Sequence, residues 1–97
     1  MEIEEAQKKV NEFIQKYGGY WQPLSMLARL QEEVGELSRE MNISHGDKKK
    51  KPGDKEGSLE KELGDVLFTI LAIANKEGID AAKSLIDKLR EKQIWRK

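Results

Sequence analysis

The chain predicts an all-α fold: an antiparallel bundle of about four helices that works as an oligomer. Three observations lead there. Apolar residues recur at 3-and-4 spacing in successive stretches, and no alternating strand pattern intervenes. Charged residues make up 37% of the chain and apolar residues also 37%, a mixture suited to charge-laced helices. Finally, 97 residues fit one domain, residues 1–97, with a core thin enough that an oligomer is expected.

Each helix has its own signals. Residues 2–17 carry Ile3, Ala6, Val10, Phe13, Ile14 and Tyr17 on one stripe, with early glutamates where the helix dipole favours them. Gly18 and Gly19 end it. Tyr20 and Trp21 form an aromatic link and are expected in the core or at an interface. Pro23 suits the first turn of the second helix, which is expected to run to about Asn42. Its stripe is Leu27, Leu30, Val34, Leu37 and Met41, within roughly 80° at about 100° per residue. Residues 43–57 are punctuated by Gly46, Pro52, Gly53 and Gly57 and carry four consecutive lysines, Lys48 to Lys51. This stretch predicts a mobile loop containing an exposed His45. Ser58 caps the third helix, whose apolar face is Leu59, Leu63, Val66, Leu67, Ile70, Leu71 and Ala74. Gly64 would let another backbone approach, and Gly78 ends the helix. Asp80 caps the fourth helix, with Ala82, Leu85, Ile86 and Leu89 on its stripe and a basic tail at its end.

Composition excludes several functions. The formal net charge is zero, which argues against a dedicated binder of nucleic-acid polymers. There is no cysteine, so thiolate metal sites and disulfides are out. No apolar run approaches the roughly 20 residues that span a bilayer, and the polar start is unlike a signal peptide. A soluble cytoplasmic protein without a membrane partner is the expectation.

The chemistry lies in two acidic clusters. Glu32, Glu33 and Glu36 stand in EEVGE, and Glu62 and Asp65 stand in ELGD. Each cluster contains a pair spaced i, i+3, beside an apolar face and not opposite it. A helical hairpin brings the pairs together, where converging carboxylates repel unless cations compensate them. A di-iron bundle would normally use Glu-x-x-His pairs, and the only histidine is His45. An all-oxygen set favours Mg²⁺, with Mn²⁺ as a substitute. Lys88 and Lys92, spaced i, i+4, have two readings: helix-end charges, or phosphate ligands.

Glu32-Glu33-Val34-Gly35-Glu36, then 25 residues, then Glu62-Leu63-Gly64-Asp65, resembles the EExxE…ExxD signature of the MazG-like all-α nucleotide pyrophosphohydrolases. The strings PLSMLARLQEEVGELSRE and SLEKELGDVLFTILAIAN resemble its small single-domain bacterial members. The resemblance implies a helical bundle, a homodimer or homotetramer, and Mg²⁺-dependent cleavage of nucleoside triphosphates into the monophosphate and pyrophosphate. It assigns Glu33, Glu36, Glu62 and Asp65 as metal ligands. Glu32 and Glu36 become the candidates for proton acceptor. Many relatives carry a Lys-aromatic-x-x-Arg run in the last helix that contacts phosphates; here it reads Lys88-Leu89-Arg90-Glu91-Lys92. Leucine replaces the aromatic residue and lysine the arginine. That departure keeps open a second function, a non-catalytic helical module that senses metal–nucleotide or serves as a scaffold.

Overall fold

The computed structural model describes residues 1–46 and 58–95. Four helices account for most of them: α1 (Ile3–Lys16), α2 (Pro23–His45), α3 (Leu59–Lys76) and α4 (Ala81–Trp95). No strand occurs among the described residues. The all-α reading therefore holds, with boundaries close to those expected. One shift matters. α2 runs on through Ile43, Ser44 and His45, which the sequence reading had placed in the loop. Nothing in those three residues breaks a helix; the chain leaves helical geometry only at Gly46. The lysine run Lys48–Lys51 lies outside the described residues.

The expected end signals are used. Pro23 occupies the start of α2, whose N-cap Gln22 is extended. Ser58 Oγ accepts from the Lys61 amide at 3.1 Å, and Asp80 Oδ1 accepts from the Lys83 amide at 3.1 Å. After α1, Gly18 and Gly19 adopt φ of 108° and 89°, and the Gly19 amide reaches back to Ile14 O at 2.8 Å. After α3, Gly78 at φ 67° lets the Ile79 amide reach Ala74 O at 2.8 Å. Gly64 behaves otherwise than expected. Among the described residues no atom lies within 4 Å of where its Cβ would stand, so no backbone presses against it.

The chain divides into two compact units, with α3 passing from one into the other. The first comprises Met1–Trp21 and Leu71–Lys97. Gln7 ties it together. Its Nε2 donates to Ile79 O at 2.7 Å, and its Oε1 accepts from the Ala81 amide at 3.0 Å. Its backbone carbonyl accepts from Asn75 Nδ2 at 2.9 Å. One side chain thus satisfies both the turn carbonyl and the first amide of α4, groups that helix ends leave orphaned. Tyr20 donates its hydroxyl to Asn11 Oδ1 at 2.6 Å; burial raises its pKa, and a hydrogen bond with Asn75 offsets part of that. Trp21, expected in a core or at an interface, is exposed in the chain, and so are Phe13 and Tyr17 of the α1 stripe. Leu85, Ile86 and Leu89 of α4 also stay exposed and line a shallow groove with Met1 to Glu4.

The second unit, Gln22–Ile70, holds α2 and the first two-thirds of α3. Here the expected core face is corrected. On α2 the buried residues are Met26, Glu33 and Glu40, spaced i, i+7, while Leu27, Val34 and Met41 are exposed. The buried line is rotated roughly 80° from the apolar stripe toward the acids, at about 100° per residue. On α3, Leu63, Leu67 and Ile70 are likewise exposed, and Thr69 is buried, its hydroxyl donating to Asp65 O at 2.9 Å. α2 turns Glu33 and Glu40 inward and leaves Leu27, Val34 and Met41 out, the reverse of what hydrophobic burial alone would choose.

Replacing Gln7 by alanine removes two hydrogen bonds and leaves the Ala81 amide without its partner. Urea unfolding of Gln7→Ala should show a loss of about 1–3 kcal/mol. Stability equal to the wild type would mean that this clamp carries no weight.

Candidate metal centre

Two short stretches of helix build the centre, both within the unit Gln22–Ile70. Helical spacing sets Glu33 and Glu36 one turn apart on α2, and Glu62 and Asp65 one turn apart on α3. One carboxylate oxygen each from Glu33, Glu62 and Asp65 lies within 4.8 Å of the other two. Glu33 is only 3% exposed, Glu62 is half-buried and Asp65 is exposed. Glu36, exposed on α2, stands close enough for its charge to act on both Glu33 and Glu62.

The electrostatics agree. Burial pushes the Glu33 pKa up, Arg29 pulls it down, and Asp65 and Glu36 push it up again. Glu62 is raised as well, by burial first and then by its hydrogen bond to Glu36 and the charges of Glu36, Asp65 and Glu33. Glu62 Oε2 is buried without a hydrogen-bond partner, an uncommon state for a carboxylate oxygen. An oxygen with unspent lone pairs inside a ring of acids is what a hard divalent cation needs. All three donors are oxygen, and among the described residues no histidine joins them. His45, at the end of α2, is exposed.

The structure thus brings together Glu33, Glu62 and Asp65, and attaches Glu36. Glu32 is exposed and points along α2 to Arg29, with Arg29 Nη1 to Glu32 Oε2 at 3.6 Å. Lys88 and Lys92 lie on α4 in the other unit, both exposed, with Lys88 Nζ paired to Glu91 Oε2 at 2.9 Å. Two residues were missed in the sequence. Arg29 Nε stands 3.2 Å from Glu33 Oε1, and its i, i+3 and i, i+4 spacing to both acids was there to be read. Glu40 is 5% exposed and lies 3.6 Å from Arg39 Nη1; no sequence signal separates it from the solvated glutamates around it.

Raised carboxyl pKa values make the folded chain bind more protons than the unfolded one above the ordinary carboxylate range. The contribution of Glu33 and Glu62 to stability is therefore present at acid pH and is lost as pH rises through their raised values. Glu62→Gln removes one of the repelling charges. In EDTA at neutral pH this variant should melt above the wild type, while Mg²⁺ should raise the melting temperature of the wild type only. A Glu62→Gln variant that melts no higher in EDTA would contradict this picture of the cluster.

The MazG nucleotide pyrophosphohydrolase domain matches residues 21–97. YpjD of Bacillus subtilis (strain 168) is 39% identical over 99 residues, spanning 96% of this chain and 89% of YpjD. A crystal structure of YpjD from Bacillus subtilis has a TM-score of 0.83 at 37% identity, covering 94% of each chain. The Bacillus-conserved MazG protein, a nucleotide pyrophosphohydrolase, has a TM-score of 0.80 at 38% identity, over 94% of this chain and 88% of that one. iMazG from Vibrio DAT 722 has a TM-score of 0.72 at 29% identity, over 96% and 99%.

Proposed function

Since the chain belongs to the MazG nucleotide pyrophosphohydrolase domain family, we propose that it is a Mg²⁺-dependent enzyme splitting nucleoside triphosphates into monophosphate and pyrophosphate. The observation that carries this reading is the carboxylate trio, Glu33, Glu62 and Asp65, with Glu62 Oε2 buried and unsatisfied among them. Those residues and Glu36 would hold the cation. Bound there, Mg²⁺ supplies positive charge against the triphosphate and lowers the pKa of a water ligand; Mn²⁺ would serve as a substitute.

The chain's own residues do the rest. Water attacks the α phosphorus, the bond to the bridging oxygen breaks, and pyrophosphate leaves. The water's proton passes to Glu32 or Glu36, the two motif acids on α2 that face solvent. Lys88 and Lys92 act as point charges toward the β and γ phosphates. For Lys88 this means giving up its pairing with Glu91, an exposed contact worth little.

In this reading the protein works as a homodimer or homotetramer. Support comes from the exposed apolar residues Leu27, Val34 and Met41 on α2 and Leu63 and Leu67 on α3, which lie in one unit and stay uncovered among the described residues. Exposed large apolar side chains in such number are what an interface between copies would cover. Light scattering should therefore give a mass that is a multiple of 11.1 kDa. A monomer at micromolar concentration would contradict the assembly.

The direct test is pyrophosphate release from a panel of nucleoside triphosphates, with Mg²⁺ and with EDTA. Release with Mg²⁺ alone is expected, and Glu36→Ala or Asp65→Ala should bring it to background with circular dichroism unchanged. Orthophosphate instead of pyrophosphate would overturn the reaction class. No release while a metal still binds would favour the non-catalytic sensor.

A further inference from the structure

A guanidinium lies against the carboxylate centre at a position outside the acidic motif. Arg29 precedes Glu33 by one turn of α2. Its Nε is 3.2 Å from Glu33 Oε1, and its Nη1 is 3.6 Å from Glu32 Oε2. The pairs Lys9 with Glu5, Lys83 with Asp87 and Lys88 with Glu91 each join two well-solvated side chains. Such pairs hold little geometry and contribute little. The Arg29–Glu33 pair is different. The Arg29 side chain is 51% exposed, but the Glu33 side chain only 4%. A carboxylate with so little access to water takes its orientation from the few groups that touch it. Here those groups include Arg29, 3.2 Å away, and the carboxylates of Glu62 and Asp65 within 4.8 Å.

A planar guanidinium can take two acceptors at once in a fixed fork, which an ammonium cannot. With Glu32 bracing its outer edge, Arg29 is held over Oε1 of Glu33. An ion pair at that atom restricts the rotation of a carboxylate that has an oxygen within 4.8 Å of oxygens of Glu62 and Asp65. We propose that Arg29 is a positioning residue: its guanidinium, braced by Glu32, presents the buried Glu33 carboxylate in one orientation to a divalent cation bound with Glu62 and Asp65. This rests on the carboxylate cluster being a metal site.

Charge and geometry predict opposite results when the guanidinium is removed. A positive charge beside the centre repels a cation, so by charge alone its loss tightens metal binding. If Arg29 orients Glu33, its loss weakens binding, as removing the hydrogen-bond partner of a metal ligand costs about 10-fold or more in affinity. The experiment is calorimetric titration of Mn²⁺ into the nucleotide-free wild type, Arg29→Ala and Arg29→Lys, with melting curves in EDTA to verify folding. Arg29→Ala should weaken Mn²⁺ binding about 10-fold. Arg29→Lys, which keeps the charge without the fork, should stay weaker than the wild type. In turnover, the Mg²⁺ requirement should rise while KM for the triphosphate at saturating Mg²⁺ stays unchanged. Unchanged or tighter Mn²⁺ binding by a folded Arg29→Ala protein overturns the proposal. So does a raised triphosphate KM with unaltered Mn²⁺ affinity, which would make Arg29 a phosphate contact. If the wild type itself binds no Mn²⁺, the metal reading fails and takes this inference with it.

Discussion

Like charges brought together away from water are the constraint on which the rest of this structure depends. Glu33 and Glu62 lose much of their hydration, and each then meets other carboxylates. Desolvation and repulsion both oppose ionisation, and both raise the two pKa values. Among the described residues one guanidinium, that of Arg29, offsets part of this at Glu33. A cation would answer better, because it can use every oxygen at once, including the one on Glu62 that nothing else satisfies. The cluster is therefore a store of unfavourable energy in the free chain that a ligand can release.

This constraint explains the odd distribution of apolar residues. α2 has a good leucine stripe, yet it turns the neighbouring acidic line inward. The cost is exposed leucine, valine and methionine along α2, and exposed leucine and isoleucine along α3. Only Met26, Ala72 and Ala74 are buried apolar residues among those described. A chain with so small a core of its own has its hydrophobic surface available for copies of itself. In the proposed function, metal binding and self-association would use different faces of α2.

Much of this was legible in the sequence. The 3-and-4 spacing marked the helices, Ser58, Asp80 and the glycines marked their ends, and the i, i+3 acids on two adjacent helices marked the centre. What failed was the assignment of the inward face. Periodicity locates an apolar stripe but does not say whether the chain or a second copy covers it, so Leu27, Val34 and Met41 were expected inside. Gln7 was invisible because its partners Asn75, Ile79 and Ala81 lie near the other end of the chain. Arg29 was overlooked for a different reason: an arginine one turn from two glutamates usually decorates a helix, and only the burial of Glu33 makes this one matter. Lys88 and Lys92 are placed on α4 as expected, and their part in phosphate binding belongs to the proposed function.

The central claim is that Glu33, Glu62 and Asp65 form a divalent-metal centre. The most direct measurement is anomalous X-ray scattering from crystals grown with Mn²⁺. The account predicts a manganese peak coordinated by oxygens of Glu33, Glu62 and Asp65, with Glu62 Oε2 among them, and its loss in Asp65→Ala. A map with no peak at the cluster, or with manganese bound only elsewhere, would contradict it.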